Sequence, residues 1–404
     1  ALRDTGFQLG IKDVERDGDR VAVTVFALAQ LDAIKFNHNP NSANDNAFNL
    51  RRNFQQFLSV PEWQQGVSVS PNDSVAAYAI RETQGNQITI QAKFRGMGLQ
   101  GRTVEVRAIA NSSSVLGEVS ARQVTFLSNG ETNFETFELQ NVQIANIGVG
   151  IHTFTWQWQF RIAPTQAWIN IGTSSHKIYT VLELPKAAWQ QAPYVPNNTQ
   201  LPWTEVLEVA CSWAVGARTL DAAATRVTQS VYNLGPTILQ YDCQLGATQY
   251  SSPRFNCSAF LNRLRGGVGL GLFVNCTDCA TIVSTFANIL GCDLWQSQMG
   301  NDFAVNPILA IGSSAWQPAC TWGGFRYHEV AWKGGCTVND EVFDACLLVD
   351  GDADPTTPPQ TPLLPANLRF GNSGSGLYRD RLAAPAGRAN CQPQPNTRQR
   401  RQII

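Results

Sequence analysis

An acyl group is carried most readily on a cysteine whose thiol has a base beside it, that base being oriented in turn by an acid. One set of residues in this chain has those types in a workable arrangement: Cys276, His328 and Asp344. The run Gly269-Leu-Gly-Leu-Phe-Val-Asn-Cys276 leads into Thr-Asp-Cys279-Ala280, after which residues 279, 282, 283, 286 and 290 share one helical face and Gly291 is placed as the left-handed stop. Cys276 then opens a helix, where unpaired backbone N–H groups and the positive dipole end favour a thiolate and can hold an oxyanion. Of the four histidines, His38, His152 and His176 fall in the first half, which leaves His328 as the base. It lies in Phe325-Arg-Tyr-His-Glu-Val-Ala-Trp332, which reads as a strand bounded by Lys333-Gly-Gly335. A second strand, Glu341 to Val349, follows at once, and antiparallel pairing of the two sets Asp344 beside His328.

Other readings of the same residues are weaker on chemistry. Cys276-Thr-Asp-Cys279 has the spacing of half a zinc site, but no second Cys-x-x-Cys follows. Asp350-Gly-Asp-Ala-Asp354 alternates carboxylates like the start of a calcium loop, yet Pro355 replaces the glycine and Thr361 the closing glutamate, so an acidic turn is expected. Gly266-Gly-Val-Gly-Leu-Gly271 lacks the Lys-Ser/Thr ending of a phosphate loop and reads as backbone freedom ahead of the helix. No metal and no cofactor are therefore expected. For a side-chain oxyanion donor the candidate is Tyr250.

In order and spacing, Cys276-Thr-Asp-Cys-Ala280 with Ile289-Leu-Gly291, His328-Glu-Val-Ala-Trp332 and Val342-Phe-Asp344 resemble the core motifs of the transglutaminase-like (papain-like cysteine) superfamily. The resemblance covers about residues 200 to 350. It implies an α+β papain-like domain and, in that register, Cys276 rather than Cys279 as nucleophile, with Cys279 in the core. The family often has Asp-Pro-Thr at the acid; here Asp344 is followed by Ala-Cys and Asp354-Pro-Thr-Thr comes ten residues later, so Asp350 and Asp354 stand as rivals to Asp344. The implied activity is acyl transfer from a protein or peptide amide through a Cys276 thioester. A cysteine protease or amidase could use the same triad, and a degenerate, non-catalytic binding scaffold is the alternative of another class.

A length of 404 residues suits two domains. From about Val21 to Pro185 alternating strands such as Ile88 to Phe94, Val104 to Ala108 and Phe134 to Leu139 predict an antiparallel, immunoglobulin-like β-sandwich. The aromatic strand Phe154-Thr-Trp-Gln-Trp158 reads as core packing, and the Asn-rich run 37–53 as an irregular loop. A Pro-rich break, 185–202, places a boundary near 190, after which the Trp203 to Ala214 and Ala222 to Tyr232 stretches turn helical. The expected division is thus 1–190 β-sandwich, 191–370 transglutaminase-like domain and 371–404 a tail ending in the basic Arg398-Gln-Arg-Arg401, solvated and partly disordered.

A formal net charge of -1 offers nothing to attract nucleic acid or an anionic membrane, so the expected partner is a protein or peptide substrate. No apolar run reaches the roughly 18 residues of a membrane span, and the chain reads as soluble. Its start, Ala1-Leu-Arg-Asp4, has neither an apolar stretch nor an initiator Met, so it reads as a processed or trimmed end rather than a signal peptide. All ten cysteines lie from Cys211 onward, several inside apolar periodic segments, and are expected as reduced, buried thiols rather than a disulfide framework.

Overall fold

A computed structural model of the chain describes residues 11–17, 20–25, 27–83, 87–317, 320 and 323–404, with side chains from residue 27 onward; the start at Ala1 to Asp4 lies outside them. Two compact units emerge, one made of residues 1–48, 58–147 and 151–180, the other of 49–57, 148–150 and 181–404.

The first unit is built on period-two alternation. A hairpin, β1 (Ile11–Asp17) and β2 (Arg20–Val25), precedes β3 (Leu28–Lys35), β4 (Trp63–Gln64), β5 (Val75–Ala79), β6 (Thr89–Met97), β7 (Thr103–Ala110), β8 (Glu118–Thr125), β9 (Glu135–Gln140), β10 (Gly150–Arg161) and β11 (Ile169–Val181). The last nine form one curled antiparallel sheet in the order β4-β3-β6-β9-β8-β7-β10-β11-β5. Alternate residues of β6 (Ile90, Ala92, Phe94) and β10 (Phe154, Trp156, Trp158, Phe160) are buried together in its core. The indole N–H groups donate to Gly117 O and Ser174 Oγ, so the aromatic strand is core, as its sequence predicts. The Asn-rich run is irregular and is held by buried Asn46, whose amide donates to Asn37 Oδ1 and to the carbonyls of Asn39, Ser42 and Ala47.

His176 of β11 gives this unit an acid sensitivity. Its ring nitrogens lie 2.7 Å from Ser74 Oγ and 2.7 Å from Ser174 Oγ, among the rings of Phe36, Phe154 and Trp156. Burial pushes its pKa down to about 3, so the folded chain keeps it neutral. An unfolded histidine takes a proton below about pH 6.5, so this contribution is whole above that pH and is lost as pH falls toward 3, by about 1.4 kcal/mol per pH unit. We expect the urea midpoint of this unit to fall between pH 6.5 and 4. His176→Gln should flatten the slope, leaving the share of His38 and His152, which burial also lowers. An unchanged slope in the variant would show that His176 does not carry it.

The second unit mixes helices α1 (Thr204–Trp213), α2 (Leu220–Tyr232), α3 (Cys257–Leu264), α4 (Cys276–Asn288) and α5 (Tyr378–Leu382) with short strands. Parallel β12 (Gln240–Tyr241) and β13 (Phe273–Val274) pair ahead of α4. The main sheet is antiparallel, in the order β22 (Ala366–Arg369), β19 (Glu341–Phe343), β18 (His328–Trp332), β14 (Trp295–Met299) and β23 (Pro393–Gln399). Two smaller sheets pair β15 (Phe303–Ala304) with β17 (Gly324–Phe325), and β16 (Leu309–Ala310) with β20 (Leu347–Asp350) and β21 (Pro362–Leu363). Among the described residues no helix is long and apolar enough to cross a membrane.

Helix α4 lies against α1, α2, β14 and β18, and every one of its residues is buried. The single apolar face read from the sequence is therefore only part of its contact surface. Its polar side chains are satisfied within the helix and beyond it: Thr281 Oγ1 donates to Thr277 O, and the Asn288 amide donates to the carbonyls of Ala187 and Leu294. Gly291 ends the segment at φ +98°, as expected, and a Cβ there would stand 2.6 Å from that of Glu183.

Two expectations need correction. Residues 371–404 are not a solvated tail: β23 is hydrogen-bonded to β14, and Arg401 is buried against Glu329. A basic, Pro-containing run carries no strand signal of its own; the sheet edge and a buried carboxylate supply its partners. The cysteines also differ in part. Eight are free and buried, whereas Cys243 and Cys320 form a disulfide. Helix α3 was not foreseen; Asn256 caps it by accepting the Ala259 N–H.

Candidate active site

Local chemistry at the start of α4 places Cys276. Asn275 Oδ1 accepts the Asp278 N–H at 3.1 Å while the Asp278 carboxylate accepts the Asn275 N–H at 3.3 Å, a reciprocal cap. The Asp278 carboxylate also accepts the N–H groups of Gln249 and Tyr250, each at 2.8 Å, and the Asn275 amide donates to Gly246 O and Thr248 Oγ1. Loop 246–250 is thereby joined to the helix start. Cys276 is the first helical residue, so its backbone N–H is one of those no helical carbonyl reaches. It is 5% exposed and opens on a cleft of about 240 Å³ that is also lined by Tyr241, Leu245, Phe325, Arg326 and Tyr327.

Sheet register brings the other two residues together. Strand β18 pairs with β14 on one side, His328 opposite Met299, and with β19 on the other, Ala331 opposite Phe343. Asp344 follows β19 directly and is anchored by its N–H donating to Pro365 O. His328 Nε2 lies 2.9 Å from Asp344 Oδ2, with both side chains buried. The same oxygen accepts the Tyr378 O–H at 2.8 Å, and Oδ1 accepts the Cys346 N–H at 2.8 Å. Phe325 stacks on the imidazole, centroids 5.0 Å apart and planes 9° from parallel.

Those contacts leave His328 Nδ1 buried without a hydrogen-bond partner. Burial by itself lowers the His328 pKa; the charge and hydrogen bond of Asp344, followed by the sulfur of Cys276, outweigh it and raise the value to about 10. Nε2 is thus committed to Asp344, and the sulfur of Cys276 lies near enough to help hold the proton on the ring.

The rival acids lie elsewhere. Asp350 Oδ1 accepts the N–H groups of Asp352 and Thr361, and Arg381 donates to the carbonyls of residues 350 and 352. Asp354 is exposed and caps a turn through Thr356. Of the three acids, Asp344 is the one at His328. Tyr250 is not in the cleft: its hydroxyl donates to Gly271 O at 2.6 Å and accepts the Leu270 N–H. Cys279 sits in the core against Cys346. Among the described residues no group of three or more His, Cys, Asp or Glu could hold a metal ion.

Two residues at the site were missed in the sequence. Tyr241 lines the cleft with Cys276, and burial, followed by the neighbouring thiols of Cys346, Cys276 and Cys279, raises its pKa well above the usual phenol value, so it keeps its proton. Tyr378 sits in the segment read as a tail, where Leu377, Tyr378 and Leu382 were the apolar signal of burial.

No known family matches the sequence, and no curated protein does. A solved transglutaminase from red sea bream is similar over 70% of this chain and 51% of its own length, with 10% identity and a TM-score of 0.36. The chain thus spans about half the length of that enzyme, and the resemblance is distant.

Proposed function

We propose that this protein is a transglutaminase-like acyl-transfer enzyme acting on protein or peptide amides, with Cys276 as nucleophile, His328 as base and acid, and Asp344 as the residue that orients it. The observation carrying this reading is His328, held through Nε2 by Asp344 with its Nδ1 buried and unpaired; that nitrogen is the one assigned to the thiol of Cys276. In the reaction, His328 takes the thiol proton, the sulfur attacks the amide carbonyl carbon, and the imidazolium gives that proton to the departing amine, leaving a thioester. An amine or water then gives its proton to His328 and attacks the thioester, and His328 passes the proton to the departing sulfur, restoring the thiol. The backbone N–H of Cys276, at the start of α4, is the donor assigned to the oxyanion. Exposed Leu245 lines the cleft, which favours an apolar stretch of polypeptide beside the amide.

The acceptor separates transamidation from hydrolysis. Mass spectrometry after incubation with a glutamine-rich protein and a labelled primary amine should detect incorporation by wild type and none by Cys276→Ala. Cleavage or deamidation without incorporation, dependent on Cys276, would make the protein a protease or amidase. Neither reaction depending on Cys276 would leave the scaffold reading.

A further inference from the structure

The residue after the nucleophile and the residue after the base are bound to one another. Thr277 Oγ1 donates to Glu329 Oε2 at 3.0 Å, and both side chains are buried. A carboxylate only accepts, so the threonine hydroxyl keeps its lone pairs, and Tyr327 Oη, on the cleft wall, lies a long 3.5 Å from it. Thr277, Tyr327 and Glu329 thus flank Cys276 and His328 in sequence and meet in space. Glu329 is in turn held by Arg401, whose Nη1 and Nη2 reach its two carboxylate oxygens while Nη1 also reaches Thr281 Oγ1 and Gln296 Oε1, each at 3.0 Å. Arg401 lies just beyond β23 and touches β14, β18 and α4 at once.

We propose that Arg401 is a positioning residue for the acyl transfer proposed above, acting through Glu329 and Thr277 to set the approach of Cys276 to His328. The geometry requires this kind of role because the nucleophile and base stand on different elements: Cys276 begins α4 and His328 begins β18. The guanidinium fork fixes the carboxylate in two directions, which a single-point ammonium cannot do. A buried Glu329 without it would be an uncompensated charge one residue from the base. The inference rests on the acyl-transfer reading, and its test uses a readout that does not need a substrate.

That readout is the rate of iodoacetamide alkylation of Cys276, resolved by peptide mass spectrometry from pH 5 to 10, for wild type, Arg401→Met, Arg401→Lys and Thr277→Val, with circular dichroism to establish folding. Arg401→Met and Thr277→Val should slow alkylation at neutral pH by about 10- to 100-fold and displace its pH profile, the cost of moving a reacting pair by a fraction of an ångström to an ångström. Arg401→Lys should fall between them and wild type. Folded variants with the wild-type profile would overturn the proposal, and Thr277→Val, which leaves the Arg401 to Glu329 pair in place, decides the matter if Arg401→Met does not fold. A wild-type Cys276 no faster than the other free thiols would overturn the acyl-transfer reading first, and this proposal with it.

Discussion

Asp344→Asn is expected to lower turnover by about 10³- to 10⁴-fold in a protein that still folds. In the native site Asp344 accepts three hydrogen bonds, from His328 Nε2, Tyr378 Oη and the Cys346 N–H. An asparagine cannot accept all three. With its amide toward His328, the imidazole must accept at Nε2 and carry its proton on Nδ1, so the nitrogen proposed to serve the thiol is no longer a base. Turned over, the amide meets the Cys346 N–H, donor against donor. The variant also loses the charge that holds the His328 pKa near 10, while the burial that lowers it remains. Because a raised histidine pKa means an imidazolium across the neutral range, wild-type turnover should hold until the pH nears 10. In Asp344→Asn its decline should begin at lower pH, and the alkylation profile of Cys276 should be displaced. Turnover within tenfold of wild type, with an unchanged alkylation profile, would remove Asp344 from the mechanism.

Replacing Asp278 by alanine should cost about 3 kcal/mol or more in stability, because the carboxylate serves the N–H groups of Gln249, Tyr250 and Asn275 together. The returning half of the α4 cap and the carboxylate's two bonds to loop 246–250 go together, while Asn275 keeps its own bonds to the Asp278 N–H, Gly246 and Thr248. Urea denaturation of wild type, Asp278→Ala and Asp278→Asn provides the test: asparagine keeps one acceptor oxygen and should lie between the other two. The expected companion effect is faster alkylation of Cys276 by bulky maleimides, since the loop that narrows the cleft loosens. A midpoint for Asp278→Ala within experimental error of wild type would show that the loop is held by other contacts.

Much of the site was legible in the chain because its signals are local. A helix that starts at Cys276 and stops at Gly291 follows from apolar period and one left-handed glycine. Strands at His328 and Glu341 follow from residue type, and a short connection between them makes an antiparallel pair the simplest outcome. That pair brings Asp344 to His328, and the ordering of Cys, His and Asp along the chain is a property of sequence alone.

What sequence could not decide depends on partners distant along the chain. Strand pairing favoured Asp344 but left Asp350 and Asp354 as rivals; the difference is that His328 and Tyr378 meet the first, while the N–H groups of Asp352 and Thr361 and a surface turn occupy the others. Tyr241 lines the cleft while the Tyr250 hydroxyl is bound to the backbone of residues 270 and 271, a difference set by how the loops around them close. The basic run at Arg398 to Arg401 resembles a solvated end in composition, yet one of its arginines is buried because Glu329 awaits it across the sheet. Local pattern specifies helices, strands and their turns, since those depend on neighbours within a few residues. The pairing of buried charges and the direction of a hydroxyl are decided by residues up to a hundred or more positions away, which only the packed chain brings within hydrogen-bond reach.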